Sequence, residues 1–195
     1  MVFGQWPLAS LGSDLTKQPK QMCVIGGGPI GLELAQAFAC LGTKVTVLLR
    51  DKDAAGGVLP KEDPDAATAI YNSLKADGVE FAFGLKFEKV EEDRTVHCTR
   101  GGDAVIFPCD VLLVATGRKP NVAGMGLEEA GVEFDARTGV TVDDYLRTSN
   151  PDIYAVGDCC TPFQFTYVAR VDSTPSRRWR HDCAHAGMSR ARWRE

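Results

Sequence analysis

No stretch of this 195-residue chain is apolar for long enough to cross a membrane, since a spanning helix needs about 20 such residues. The N-terminal MVFGQWPLASLGSD also lacks the marks of a secretory leader. It has no basic start, and Gly4, Gln5 and Pro7 break its apolar run. The seven cysteines (Cys23, Cys40, Cys98, Cys109, Cys159, Cys160 and Cys183) are odd in number and scattered, with no C-x-x-C pair and no zinc-like pair of pairs. That spacing argues against a secreted disulfide framework and for a reducing compartment. A net charge of −4 marks neither a nucleic-acid binder nor a polybasic membrane protein. Together these absences predict a soluble intracellular protein with no nucleic-acid or membrane partner, in cytoplasm or organelle without distinction.

What is present fits one ordinary domain with room for a fragment of a second. An apolar fraction of 44% belongs to a globular protein. The charge is uneven. Residues 170–195 hold seven arginines against three acids, a net of about +4, so residues 1–169 carry about −8. The body is acidic and the tail basic.

Met22 to Ile25 is a short apolar run stopped by Gly26-Gly27-Gly28-Pro29. Ile30, Leu32, Leu34, Ala35, Phe38 and Leu41 then recur with helical spacing, and Gly42 stands where a helix-ending glycine belongs. Lys44 to Leu49 is a β-branched, nearly continuous apolar run, as in a strand buried on both faces. A turn-rich loop, 51–63, leads to a second helix over 64–77 that ends near Gly78. Strand, helix, strand, helix is the order of a doubly wound sheet. Segments 79–83, 86–91, 94–99 and 104–107 are short and alternating, which predicts a third parallel strand and then an antiparallel β-meander. Residues 111–115 read as another buried strand, and 153–156 as one more.

Gly26-Gly27-Gly28-Pro29-Ile30-Gly31 is a G-x-G-x-x-G set between a strand and a helix. Gly26 permits the tight turn, Gly28 lets the backbone approach a pyrophosphate, and Gly31 brings helix and strand together. The amides at the helix start and its positive dipole end would receive the phosphates. A glycine-rich turn without a ligand is the competing reading. An acid about 20 residues further on would bind the adenosine ribose of NAD or FAD. Leu49-Arg50 stands there instead, and a guanidinium suits a 2′-phosphate, so NADP(H) is the expected dinucleotide. Asp51 comes one position late for the ribose role unless it folds back, and Lys61 is a second candidate for the phosphate. The competing reading of Arg50 is a solvated charge at a strand end.

VIGGGPIGLELAQAF, LLVATGRKPN and DIYAVGD, in this order and spacing, resemble the pyridine nucleotide-disulfide oxidoreductases: glutathione reductase, lipoamide dehydrogenase and mercuric reductase. The resemblance runs from about residue 10 to about residue 169, and the tract Pro162 to Ala169 is most similar to the mercuric reductase-like branch. It implies that Gly26, Gly28 and Gly31, with Pro29 and Ile30 between them, hold the NAD(P) pyrophosphate. Glu33 would lie beside the nicotinamide and pair with a lysine of the FAD domain, or else be a helix-surface charge. Ala115, Thr116 and Gly117, followed by Arg118, would be the crossing back to the FAD domain. Asp158 would hydrogen-bond a ribityl hydroxyl of FAD, with Gly157 allowing close approach, and could also cap the following helix.

Other family features do not occur in these 195 residues. There is no second G-x-G-x-x-G, no C-x-x-x-x-C redox pair, and no dimerisation domain with its His-Glu pair. Adjacent Cys159 and Cys160 have the wrong position for the active disulfide, and His181, Cys183 and His185 read as accidents of composition. The tail 170–195 reads as an out-of-frame or alternatively spliced end, expected to be disordered. The expected organisation is a lead-in over 1–19 and an α/β domain over 20–116, a Rossmann-like parallel sheet with an inserted antiparallel β-meander. An incomplete return segment of the FAD domain follows over 117–169, then the tail. The strand 153–156 would then lack a sheet to join. Family members homodimerise, but this chain alone is expected to bind a dinucleotide, with FAD doubtful, and not to catalyse. The alternatives left open are a free-standing NADP-binding module, a sensor or a subunit completed by another chain, and the nonfunctional product of a damaged or mispredicted gene.

Overall fold

The computed structural model describes residues 15–160. The mercuric reductase-like tract 162–169, the basic tail, His181, Cys183, His185 and most of the lead-in lie outside those residues. The chain divides into two units between Gly117 and Arg118.

In the first unit, strand β1 (Gln21–Ile25) is followed by helix α1 (Pro29–Cys40) and strand β2 (Lys44–Leu48). A one-turn helix α2 (Ala54–Gly57), helix α3 (Pro64–Ala76) and strand β3 (Glu80–Ala82) come next. Strands β4 (Lys86–Val90), β5 (Val96–Arg100) and β6 (Asp103–Phe107) precede β7 (Val111–Val114). The main sheet has the order β3-β2-β1-β7, every pair parallel, while β4-β5-β6 is a separate antiparallel sheet. This is the expected α/β arrangement.

Local chemistry sets the helix ends. Pro29 takes the first helical position of α1, where its missing N–H costs nothing. At the other end Gly42, with φ +94°, reverses the chain. There Thr43 N–H donates to Phe38 O at 3.0 Å and Gly42 N–H to Ala39 O at 2.8 Å, the paired bonds of a Schellman ending. Helix α3 ends the same way, with Val79 N–H on Leu74 O and Gly78 N–H on Lys75 O. It starts from Asp63, whose carboxylate accepts the amides of Asp65 and Ala66. The loop expected over 51–63 contains the extra helical turn α2, because Asp53 accepts Gly56 N–H at 3.0 Å and so caps it. The strand expected at 94–99 begins at Val96, since Arg94 is left-handed and Asp93 draws Thr95 N–H into a turn.

Alternation along the parallel strands sorts the core into two layers. Met22, Val24, Val45, Val47 and Leu113 pack with Leu32 and Ala35 of α1 and Leu74 of α3. Cys23, Ile25, Leu48 and Ala82 face the other way, against Leu85, Val96, Cys98 and Cys109 of the meander region. Burial on both faces explains why these strands read as continuous apolar runs. No helix among the described residues is long and apolar enough to cross a membrane.

The second unit is described from Arg118 to Cys160. Strands β8 (Phe134–Asp135) and β9 (Gly139–Val140) form a hairpin, and Val122, Val132 and Val140 are the centre of a small core. The expected strand over 153–156 is not formed. Tyr154 makes one isolated antiparallel bridge with Arg147, and a single 3-10 turn covers Gly157–Cys159. Thr148 Oγ1 donates towards the carbonyls of Asn150 and Ile153, holding a turn there, while the left-handed Leu146 ends the partner segment. The segment is not without partners, because Ile153 and Ala155 pack onto the Val122, Val132 and Val140 cluster.

Leu113 of β7 is 1% exposed in the core layer shared with α1 and α3. Leu113→Ala should lower the unfolding free energy by about 2–5 kcal/mol, the usual cost of such a truncation. Urea denaturation followed by circular dichroism measures it.

Candidate functional site

Because β1, β2 and β7 run parallel, the segments after each of them emerge along one edge of the sheet. These segments are Gly26–Gly28, Arg50–Lys61 and Ala115–Gly117. With β2 and β3 on one side of β1 and β7 on the other, the chain order reverses between β1 and β7. In open α/β sheets, ligands bind in the crevice at such a point.

The glycines have different tasks there. Gly26 has φ +113°, and a Cβ on it would lie 2.5 Å from the Ala115 carbonyl oxygen. Gly31 is buried in α1, where a Cβ would meet Gly26 O at 2.9 Å and the Ala115 Cβ at 3.1 Å. These two let the start of α1 sit against the ends of β1 and β7. Gly28 is different: it is the N-cap of α1, in extended conformation, and nothing lies within 4 Å of where its Cβ would be. No side chain caps this helix, and its first backbone bond is Leu32 N–H to Gly28 O, leaving the amides of Ile30 and Gly31 ahead of it. Open space, uncapped amides and a helix dipole together fit a pyrophosphate.

Gly27, an unassigned x position in the motif, proves the most confined. Its Cβ would fall 1.8 Å from Gly57 O, and its carbonyl accepts Leu59 N–H at 2.9 Å. The loop after β2 is therefore folded onto the glycine turn. The only signal in the sequence was a third consecutive glycine, which the motif alone does not ask for. On this loop Arg50 and Lys61 are exposed, and among the described residues neither has an ion-pair partner. Asp51 is turned towards α2: its Cβ lies 3.3–3.4 Å from where side chains on Gly56 and Gly57 would begin. Its carbonyl accepts Gly84 N–H at 2.7 Å. That arrangement supports the loop and leaves Arg50 as the exposed group at the end of β2.

Glu33 is exposed on α1, and Thr116 and Gly117 are exposed after β7, with Gly117 at φ +116°. The second unit holds the remaining expected residues. Gly157 is buried with φ +75°, and Asp158 is exposed on the 3-10 turn. Arg118 Nη1 donates to Asp158 Oδ2 at 3.2 Å, a pairing between two of the quoted motifs that the sequence did not suggest. Both side chains are partly solvated, so the pair orients Asp158 and adds little stability. Gly139 allows the close approach beneath: its Cβ would stand 2.0 Å from Cys159 O. Cys159 and Cys160 donate their thiols to the carbonyls of Val156 and Gly157, and no metal-binding group of His, Cys, Asp and Glu occurs among the described residues.

A family profile described as pyridine nucleotide-disulphide oxidoreductase matches residues 11–174. A mercuric reductase of Bacillus cereus is 40% identical over 162 residues, which cover 82% of this chain and 25% of that protein. A dihydrolipoyl dehydrogenase of Bacillus subtilis (strain 168) is 34% identical over 168 residues, 85% of this chain and 36% of that one. Among solved structures, the HOCl-induced flavoprotein disulfide reductase RclA from Escherichia coli aligns with a TM-score of 0.72 at 31% identity. That alignment covers 90% of this chain and 38% of RclA. The chain thus spans between 25% and 38% of the length of these proteins.

The contrast between adjacent glycines is measurable. Gly27→Ala should destabilise the protein by about 1–3 kcal/mol, because the loop must yield to the added methyl. Gly28→Ala, with open space and a permitted backbone, should stay within about 0.5 kcal/mol of the parent. Thermal or urea unfolding of the two variants side by side checks both.

Proposed function

The chain belongs to the pyridine nucleotide-disulphide oxidoreductase family, and from that premise we propose that residues 20–116 are the NAD(P)-binding part of a mercuric reductase-like flavoenzyme, with NADPH preferred. Members of the family use FAD and NAD(P)H. The observation that carries the reading is the open N-cap at Gly28, next to a loop that presents Arg50 where an acid would select NAD. On this reading the Ile30 and Gly31 amides receive the pyrophosphate, and Gly26 and Gly31 hold α1 against the sheet. Arg50, with Lys61 on the same loop, receives the 2′-phosphate. A guanidinium presents a planar fork matched to phosphate oxygens, which a lone ammonium does not.

The further assignments rest on the family motifs. Glu33 is assigned beside the nicotinamide, and Ala115-Thr116-Gly117 to the crossing between domains. Residues 117–169 are assigned to the FAD domain, with Asp158 towards the flavin ribityl chain and Arg118 setting its orientation. FAD would supply the hydride acceptor when bound. We assign dinucleotide binding and not turnover to these 195 residues, because they contain no C-x-x-x-x-C thiol pair. Homodimerisation, as in the family, is part of the same proposal. A second reading, an NADP-binding module or sensor without redox activity, is favoured by the first unit having its own two-layered core.

Calorimetric titration of the purified chain with NADPH, NADH and FAD tests the proposal. NADPH binding with NADH weaker is expected, and no binding by either nucleotide would refute it. FAD binding, seen as yellow protein, favours the flavoenzyme reading over the module. Arg50→Glu should weaken NADPH by tenfold or more, the size of losing a charge-assisted contact of about 1.5–3 kcal/mol, with little change for NADH. Equal losses for both nucleotides would remove the role given to Arg50.

A further inference from the structure

Leu59 holds a backbone conformation that residues with a Cβ avoid. Its φ is +46°, in the left-handed region, where the Cβ crowds the following carbonyl. Such strain persists only where the surroundings over-determine it, and it collects at ligand clamps. Here two hydrogen bonds and a packed side chain do so. Leu59 N–H donates to Gly27 O at 2.9 Å, and Leu59 O accepts Glu62 N–H at 3.0 Å, closing the turn that carries Lys61. The half-buried Leu59 side chain packs against the layer that contains Leu49 and Val58. Just before it, Gly57 N–H donates to Asp53 O at 3.2 Å and Val58 N–H to Ala54 O at 2.9 Å, so the residue is anchored from both sides.

The bond from Leu59 to Gly27 fixes a peptide plane in the glycine turn. No peptide among the described residues is cis, so the Gly27 carbonyl and the Gly28 N–H point in opposite directions. With the carbonyl tied to the loop, the Gly28 N–H is turned away from it. Among the described residues that N–H meets no acceptor, while Gly28 O is taken by Leu32 N–H at 3.1 Å. Pro29 brings no N–H. The donors ahead of the first helical bond are therefore those of Gly28, Ile30 and Gly31.

We infer that Leu59 is a positioning residue for the pyrophosphate of the dinucleotide, holding the Gly27–Gly28 peptide so that Gly28 N–H is a third donor beside Ile30 and Gly31. The role rests on the dinucleotide-binding reading of the same site. An amide already aimed needs no reorientation when the anion arrives. NADPH and NADH carry the same pyrophosphate, so the clamp acts on both nucleotides alike. Arg50, assigned to the 2′-phosphate, acts on NADPH alone.

Amide NMR of the isotope-labelled full chain, titrated with NADPH and separately with NADH, tests the role without altering a residue. The Gly28, Ile30 and Gly31 amides should shift downfield together and exchange more slowly with either nucleotide. The Leu59 amide should be protected from exchange before any nucleotide is added. Calorimetry on two variants then separates the N–H from the side chain. Leu59→Pro has no N–H and cannot reach a left-handed φ, and should bind both NADPH and NADH about tenfold more weakly, the size of one charge-assisted bond. Leu59→Gly keeps the N–H and takes a left-handed φ freely, and should stay within about twofold of the parent. A Gly28 amide that stays unchanged while those of Ile30 and Gly31 shift would overturn the inference. So would a freely exchanging Leu59 amide, equal losses in the two variants, or a loss confined to NADPH. If neither nucleotide binds the parent, the dinucleotide reading fails and the role falls with it; if nucleotide binds and Gly28 is silent, the role alone fails. Because the amide measurement uses the unaltered chain, it decides the outcome if Leu59→Pro does not fold.

Discussion

Close approach of backbone to backbone at the end of β1 is the constraint on which the rest of the first unit depends. Gly26 meets the Ala115 carbonyl, Gly27 meets the Gly57 carbonyl, and Gly31 meets both Gly26 and Ala115. A side chain at any of these would push apart the strand β7, the loop after β2 or the helix α1. The three elements converge there because each lacks atoms at the same place. The consequence is chemical as well as steric: amides at the start of α1 are held uncapped beside Gly28, where open space remains. Such preorganisation suits an anion, which finds its donors already aligned.

The layers behind this turn keep it rigid. Parallel strands buried on both faces need covers on both, and here the covers differ: helices α1 and α3 on one side, the antiparallel meander on the other. The layer on the meander side holds three thiols, Cys23 of β1, Cys98 of β5 and Cys109 of the turn before β7.

The second unit shows how short segments satisfy themselves when they are not part of a broad sheet. Asp135 and Asp143 each accept several nearby amides, fixing turns by local hydrogen bonds. Ile153 and Ala155 bury against three valines while Tyr154 makes only one bridge. Alternation in 153–156 is thus real, but the neighbours that would extend it into a strand are absent among the described residues. Arg118 and Asp158, forty positions apart, meet at 3.2 Å across this unit.

The sequence by itself determined the order of the parallel strands, the two longer helices and the meander of the first unit, and most of their ends. Periodicity marked the helices and buried strands, and Gly42, Gly78, Pro29 and Asp63 marked their limits, because these signals act within a few residues. It also identified the glycine turn and the absence of an acid at Arg50. Only the tertiary structure decided what depends on distant chain segments meeting. Gly27 matters because Gly57 lies over it. Asp158 is oriented because Arg118 reaches it, and the turn before β7 closes on the start of β1 because Asp110 accepts the amides of Lys20 and Gln21. The physical reason is range. Backbone preference and side-chain period are properties of neighbours in sequence, whereas close packing, ion pairs and thiol contacts exist only once the sheet has brought their partners together.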